Sequence, residues 1–591
     1  MRWLHAESTR DTRIARFTHD PNHRVSINHG VIAVGLGGAF TILDGAVLLG
    51  YLVVVTWLGA RLAGKQGTTE EFFAGGRRLP WPAVSASIIA TEISAITFIG
   101  VPFVVFRPGG DLTYLQLGLL GGLLARVIVG YLLVPAYFER KIQSPYDYMG
   151  NRLGERVRRL TSVIFTLGGI FAQGSRIYLT AIVLMLLLSG PLATLEEVTG
   201  IPPLLAAIGL ITAVAALWTW IGGIAAVIWT DALLFLIFVL GAVIALVTII
   251  LQLPEGFPQL LALGAEADKF RLLNWDTSPL TAFTVWTAAF ASLFSQVGAY
   301  GTDQLMAQRL FCCRNAVEAR KAILWSYAGI FVTVVVALVG VGLFAYYSVF
   351  PLQGEALALY EAQGDAIFPI FILTVIPTGL TGLILAGVFA AAVSSADSIL
   401  AALSQTSQAV FCKGRGGVRL ARALVLGWAG VLVLSALLAS WLRERYASLL
   451  DLALGLASYT QGVLLAGFFL AFLHLRRDGT GFFWSAPLGI LAVFATAWKE
   501  PWAFWACLLI GLCWILAWWI SEGRHQSPRG LIPLLIGFTV ILAVQQFLGL
   551  PPADANSRDI LLPIAWPWHA PVGFFLTFAL GYALSPRRGS T

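Results

Sequence analysis

The chain has 591 residues, 58% of them hydrophobic and 12% charged, an apolar share well above that of a soluble domain. Many apolar runs reach the ~20 residues that span a bilayer as a helix, which points to an all-α polytopic membrane protein and leaves no room for a large soluble catalytic domain. The net charge of +7 does not signal nucleic acid, because most basic residues fall in short loops between apolar spans, as the positive-inside rule expects.

Residues 1–40 form a polar N-terminal tail. Residues 1–30 have no apolar core and no small-residue cleavage site, so no signal peptide is read there; the stretch is left as a flexible tail or an over-long start. Hydropathy then gives about fifteen spans, at roughly 41–60, 80–106, 113–137, 158–188, 201–221, 223–251, 280–307, 321–348, 370–410, 419–442, 448–473, 482–498, 502–520, 530–549 and 563–585. The segment at 370–410 is expected to open with a re-entrant or extramembrane piece. Basic residues gather in alternate loops. Arg61, Lys65, Arg77 and Arg78 follow the first span, and Arg140, Lys141, Arg152, Arg156, Arg158 and Arg159 the third. Arg309, Arg314, Arg320 and Lys321 follow the seventh, and Lys413, Arg415, Arg419 and Arg422 the ninth. Arg476 and Arg477, Arg524 and Arg529, and Arg587 and Arg588 continue the series. The alternation describes a multi-pass protein of the cell membrane (the inner membrane of a Gram-negative cell), N-terminus outside and C-terminus cytoplasmic. Arg443 and Arg445 run against it, as do Arg2, Arg10, Arg13, Arg16 and Arg24.

Cys312, Cys313 and Cys412 fall in loops read as cytoplasmic, and Cys507 and Cys513 within a span, which argues against a structural disulfide. No G-x-x-x-x-G-K-[ST] motif occurs, so the chain has no P-loop of its own. No metal-ligand cluster or nucleophile–base motif suggests an enzyme.

Polar residues inside the spans carry the functional signal. Phe389–Ser398 reads FAAAVSSADS. A helix sets Ser394, Asp397 and Ser398 on one face, and small residues before them let another backbone approach. Oxygen ligands without sulfur or imidazole suit a hard cation, inside a bilayer most simply sodium. The competing reading is a packing face whose hydroxyls bond back to carbonyls. In the second span, Thr91-Glu92-Ile93-Ser94 is followed by Gly100 and Pro102. This suggests an interrupted helix whose freed carbonyls bind a cation, against a kinked helix with Glu92 neutralised by a neighbour. Gln296, Gly298, Gly301, Thr302, Asp303 and Gln304 interrupt the seventh span in the same way. Arg176, in the fourth span, either grips an anionic solute or pairs with Glu92 or Asp231. Asp231 reads on its own as a cap near the cytoplasmic edge. Gln116, Ser458, Tyr459 and Thr460 are weaker candidates, since lone polar residues usually bond between helices.

These residues resemble the sodium/solute symporter family, which includes sodium/glucose, sodium/proline, sodium/iodide, multivitamin and sialic-acid transporters. The resemblance covers roughly 41–475 and rests on FFAGGRRLPW (Phe72–Trp81), ATEISAITFIGVP (Ala90–Pro102), GGIAAVIWTDALLF (Gly222–Phe235), YGTDQLMAQRLF (Tyr300–Phe311) and FAAAVSSADSILAALSQ (Phe389–Gln405), in that order. It implies a leucine-transporter-like fold of two inverted five-helix repeats, at about 80–251 and 280–473, with residues 41–475 as the symporter domain and 476–591 as additional transmembrane helices. It implies a sodium site at the carbonyls of Ala90, Ile93 and Ala391 and the hydroxyls of Ser394 and Ser395. A second sodium set, which only some members have, falls on Asp231, Ser394, Asp397 and Ser398. Thr97, Ala299 and Ile330 stand where the sugar branch has a glutamine, an aromatic and a lysine, which argues against a sugar. Arg176 matches the arginine that binds the substrate carboxylate in the sialic-acid branch, and Gln116 and Gln296 resemble solute contacts. Glu92 and Thr97 complete the expected solute site; Glu92 repels an anion unless protonated or paired.

The expectation is a sodium-coupled importer of a small organic solute, an organic anion or an amino acid, working by alternating access. Its partners are the solute, sodium and the lipid bilayer, with no nucleic acid and no cofactor beyond the coupling ion. Proton coupling through Glu92, Asp231 or Asp397, and a sensor that binds without transporting, are the alternatives.

Overall fold

A computed structural model describes residues 41–442 apart from Lys65, Lys141 and Lys413, and then 449–473, 478–498, 501–523, 531–547 and 564–585. The expectations for the N-terminal tail and for Arg443, Arg445, Arg476, Arg477, Arg524, Arg529, Arg587 and Arg588 concern residues outside that set. The described residues form helices and no strands.

Among the described residues, ten helices are long and apolar enough to cross a membrane, or eleven if one bent pair counts as a span. Four of the expected segments fail that test for physical reasons. Two expected spans run together in one 50-residue helix, Pro203–Gln252, broken at Gly223, whose φ of 55° only glycine adopts freely. At ~1.5 Å per residue that helix is far longer than one bilayer crossing. The seventh span is split into short pieces, Thr287–Ala291, Ser292–Val297, Gly298–Thr302 and Gln304–Phe311. The last two spans are helices of 17 and 16 residues.

The elements that position the site are α1 (Ile42–Ala63), α2 (Trp81–Glu92), α3 (Ala95–Phe106), α4 (Leu112–Glu139), α5 (Glu155–Leu187) and α6 (Pro203–Gln252). They continue with α7 (Ser292–Val297), α8 (Gln304–Phe311), α9 (Ala316–Val349), α10 (Ile367–Thr374), α11 (Leu380–Val410), α12 (Gly417–Leu442) and α13 (Leu449–Phe472). Helix α10 is the separate piece expected ahead of α11. Helix α11 is the centre of the body. It packs on α1, α5, α6 and α12 and is buried on every face, as an apolar helix is when other helices surround it. Its Ser, Ala and Gly content permits the close approach: a Cβ on Gly382 would meet the Asp44 backbone at 2.6 Å.

Helices α2 and α3 are two halves of one span, bent by 51°. The break falls at Ile93–Ser94, while Gly100 and Pro102, expected near the interruption, lie inside α3. The far end of α3 is held from a distant loop. Lys269 Nζ donates to the carbonyls of Val105, Phe106, Arg107 and Gly110 at 2.8–3.1 Å, satisfying the orphan acceptors of the last turn and meeting the negative end of its dipole. The C-terminal helices Thr480–Ala497, Pro501–Trp518, Leu531–Phe547 and His569–Leu584 share an aromatic-rich core including Trp484, Trp518 and Phe538, and the last of them packs against α13. Cys312, Cys313, Cys412 and Cys513 are in no disulfide.

Candidate functional site

The break between α2 and α3 redirects backbone amides. In an unbroken helix Ser94 N–H would donate to Ala90 and Thr97 N–H to Ile93. Here Ile93 leaves the helical region (φ −87°, ψ 83°), Ser94 N–H donates to Glu92 O at 3.2 Å, and Thr97 N–H donates to Ser94 O at 2.9 Å. The carbonyls of Ala90 and Ile93 are thereby released from the helical ladder at buried positions, where backbone oxygens need another partner. Helix α11, which packs on α2, supplies Ala391, Ser394 and Ser395, all buried. Ser395 Oγ donates to Ala391 O at 3.2 Å, so those two oxygens already adjoin. The set is all oxygen and carries no formal charge of its own, a donor chemistry that fits a sodium ion. The back-bonding alternative is also realised, since Ser398 Oγ donates to Ser394 O at 2.6 Å.

The neighbouring acidic cluster is organised differently from the expectation. Asp231 is fully buried, not a cap at the membrane edge. Its carboxylate accepts from Ser87 Oγ at 2.5 Å, from Ser394 Oγ and from Arg309 Nη2 at 3.1 Å. Arg309 also donates to Ser398 Oγ, to Ser87 Oγ at 2.8 Å and to Leu305 O at 2.7 Å. Arg309, counted above as a loop charge, is therefore an internal cation among Asp231, Ser394 and Ser398. Asp397 takes Ser398 Oγ on Oδ1 at 3.2 Å, and its Oδ2 is buried without a partner.

A cavity of about 210 Å³ opens at the helix break, lined by Thr91, Glu92, Ser94 and Thr97 from the broken span. Tyr114 and Arg126 of α4, Arg176 of α5, Ser295 and Gln296 of α7, Tyr300, Tyr327, Gln461 and Trp566 also line it. Arg176 forms no ion pair with Glu92 or Asp231, the alternative to a solute role; those carboxylates pair with Arg126 and Arg309. Arg176 Nη1 donates to Thr91 O at 3.4 Å, and its Nε is buried without a partner. Gln296 lines the cavity while donating to Leu117 O at 2.9 Å. Gln116 does not line it: fully buried, it bridges Thr113 O and Phe283 O and accepts from Asn274 N–H at 3.3 Å. Gln116 thus ties α4 to the non-helical segment that holds Asn274 and Phe283. Ala299 and Ile330, the positions that argue against a sugar, both line the cavity.

Arg126 and Arg309 are the residues the sequence reading missed. A lone arginine in the apolar run GLLARVIVG was the available signal for the first. The second was masked by the neighbouring loop arginines.

Released carbonyls that a cation can collect, beside a cavity that a solute can fill, are the working parts of an ion-coupled secondary transporter. A profile of the sodium:solute symporter family matches residues 72–489, most of the chain, and the chain belongs to that family. Among its relatives is the sodium/sialic acid symporter SiaT of Proteus mirabilis, 30% identical over 370 residues, 62% of this chain and 70% of that one. Another is the mouse sodium-coupled monocarboxylate transporter 2, 26% identical over 63% of this chain and 58% of that one. The solved outward-open, substrate-bound structure of a Na+-coupled sialic acid symporter superposes with a TM-score of 0.66 at 25% identity, covering 86% of this chain and 97% of that one. The leucine-transporter-like fold expected from the sequence is the fold observed. The protein is a multi-pass, sodium-coupled solute symporter working by alternating access, not an enzyme.

Proposed function

We propose that one sodium ion binds the carbonyls of Ala90, Ile93 and Ala391 and the hydroxyls of Ser394 and Ser395, and that an organic anion or amino acid binds the adjoining cavity through Arg176. The observation that carries this reading is the redirection of the Ser94 and Thr97 amides. It frees two carbonyls on the broken helix, which packs against α11. Sodium there would tie α2 to α11 and hold the cavity wall in one shape; its loss to the cytoplasm would loosen that wall and release the solute. The unpartnered Nε of Arg176 supports a carboxylate ligand, as do relatives named for sialic acid and monocarboxylates. Thr97, Glu92 and Gln296 line the same cavity; Gln116 supports it from behind. A second sodium at Asp231, Asp397 and Ser398 would have to move the Arg309 guanidinium, so one ion per cycle is the stoichiometry proposed. In the cell membrane, the N-terminus lies outside and the C-terminus in the cytoplasm. Residues 41–475 act as the symporter domain and 476–591 as its accessory helices.

The test is uptake of radiolabelled carboxylates by proteoliposomes under an imposed sodium gradient. Uptake should follow the gradient and be lost in Ser394→Ala/Ser395→Ala. Uptake that ignores sodium and survives the double substitution would overturn the sodium site, and uptake that follows a pH gradient instead would select proton coupling.

A further inference from the structure

The cavity holds two guanidinium groups and one carboxylate, and the two arginines are held very differently. Arg126 is 3% exposed. Its Nε donates to Ser326 Oγ at 3.0 Å, its Nη1 to Gly122 O at 3.1 Å, and its Nη2 to Glu92 Oε2. Its plane lies over Tyr300, 4.4 Å from the ring centroid, with Tyr327 at 5.7 Å. Each edge of the fork is engaged and its faces meet aromatic rings. Three of its five N–H groups are thereby committed, which holds it in place far more firmly than Arg176 is held. Arg176 has one long hydrogen bond and an unpartnered Nε. Glu92 is a third exposed at the cavity, and the partner that neutralises it is Arg126.

Resting on the functional reading above, we infer that Arg126 is a specificity-determining residue: by cancelling Glu92 it selects solutes that carry a carboxylate and no ammonium group. A zwitterionic amino acid would bring its carboxylate to Arg176 and its ammonium to a wall whose one carboxylate among the described lining residues, Glu92, is already ion-paired. A buried ammonium without an anionic acceptor keeps its desolvation cost. Discrimination of this kind works by withholding a partner from the wrong ligand. The substrate class is therefore a small organic acid whose remaining groups are neutral.

The test uses purified protein in detergent, with sodium chloride or choline chloride, and acid pairs that differ at the ammonium: L-lactate against L-alanine, and cyclopentanecarboxylate against L-proline. Ligand-induced thermal stabilisation, titrated to an apparent Kd, is the readout. The wild type should bind the ammonium-free member of each pair at least about tenfold more tightly, and only with sodium. Arg126→Gln should narrow or reverse that ratio by freeing Glu92. Because that variant loses a buried cation and its fold is at risk, Glu92→Gln serves as the second variant; it should widen the preference for the anion. A wild type that prefers the zwitterions, or a ratio that Glu92→Gln leaves unmoved, overturns the inference while sodium-dependent binding still upholds the functional reading. Binding that is indifferent to sodium, or no response to any acid, overturns the functional reading and this inference with it.

Discussion

The Asp231 carboxylate accepts from the Arg309 guanidinium at 3.1 Å, across 78 residues of sequence, with both side chains fully buried. Each charge depends on the other at fully buried positions, and Ser87 binds both. Removing one member of such a pair leaves a bare buried charge, which typically costs about 3–5 kcal/mol, whereas removing both costs much less. Asp231→Asn and Arg309→Met are each expected to lower thermal stability sharply, and the double variant to be more stable than the sum of the two losses. A double-mutant cycle by thermal unfolding in detergent measures the coupling; additive losses would mean that the pair does not act as a unit.

The same guanidinium bears on ion stoichiometry. With Arg309 already bonded to Asp231 and Ser398, radiolabelled sodium should saturate at one ion per chain. Saturation at two would require the arginine to move aside.

Arg176 offers a planar fork to the solute, and a lysine cannot reproduce it. Arg176→Lys is expected to weaken carboxylate binding by at least about tenfold, with sodium binding in the absence of solute unaffected. Equal affinity in the variant, read by the same thermal titration, would remove Arg176 from the solute site.

Lys269 makes a pH-dependent contribution to stability. Burial, the largest influence, pulls its ammonium from 10.5 down to about 8; Asp111 opposes the shift and Arg107 adds to it. Between about 8 and 10.5 the unfolded chain therefore holds more protons than the folded one, so this residue makes stability rise with pH across that window. Below about 8 the burial penalty is present in full and does not vary. The stability of the wild type relative to Lys269→Met, followed by melting temperature, should increase as pH rises above about 8. A flat difference would show that its four carbonyl partners offset the burial.

Gly223 is required by the turn that splits α6. Its φ is 55°, and a Cβ there would meet the Phe72 carbonyl oxygen at 2.3 Å. Gly223→Ala carries both a left-handed backbone penalty and a clash with main chain that has no easy way to yield. A loss of at least about 1–3 kcal/mol is expected, read as lower thermal stability and expression; a neutral outcome would mean that the turn relaxes.

What the sequence determined by itself was local. Apolar runs of spanning length, the Thr91–Ser94 interruption and the hydroxyl-rich face of α11 were legible because hydropathy, helix periodicity and helix-breaking are properties of neighbouring residues. The class of protein followed from their order. Pairing was not legible. Glu92 could meet Arg176 or another cation, and only the packing of α4 against the broken span assigns it to Arg126 and leaves Arg176 open. Arg309 reads as one more basic residue at the end of a span until α8 folds it between α6 and α11. Gln116 looks as much like a solute contact as Gln296 does, and their difference is which face of α4 or α7 meets the cavity. Charge partners, burial and cavity walls join residues tens to hundreds of positions apart, so their energetics are set where helices cross, and only the tertiary structure decides them.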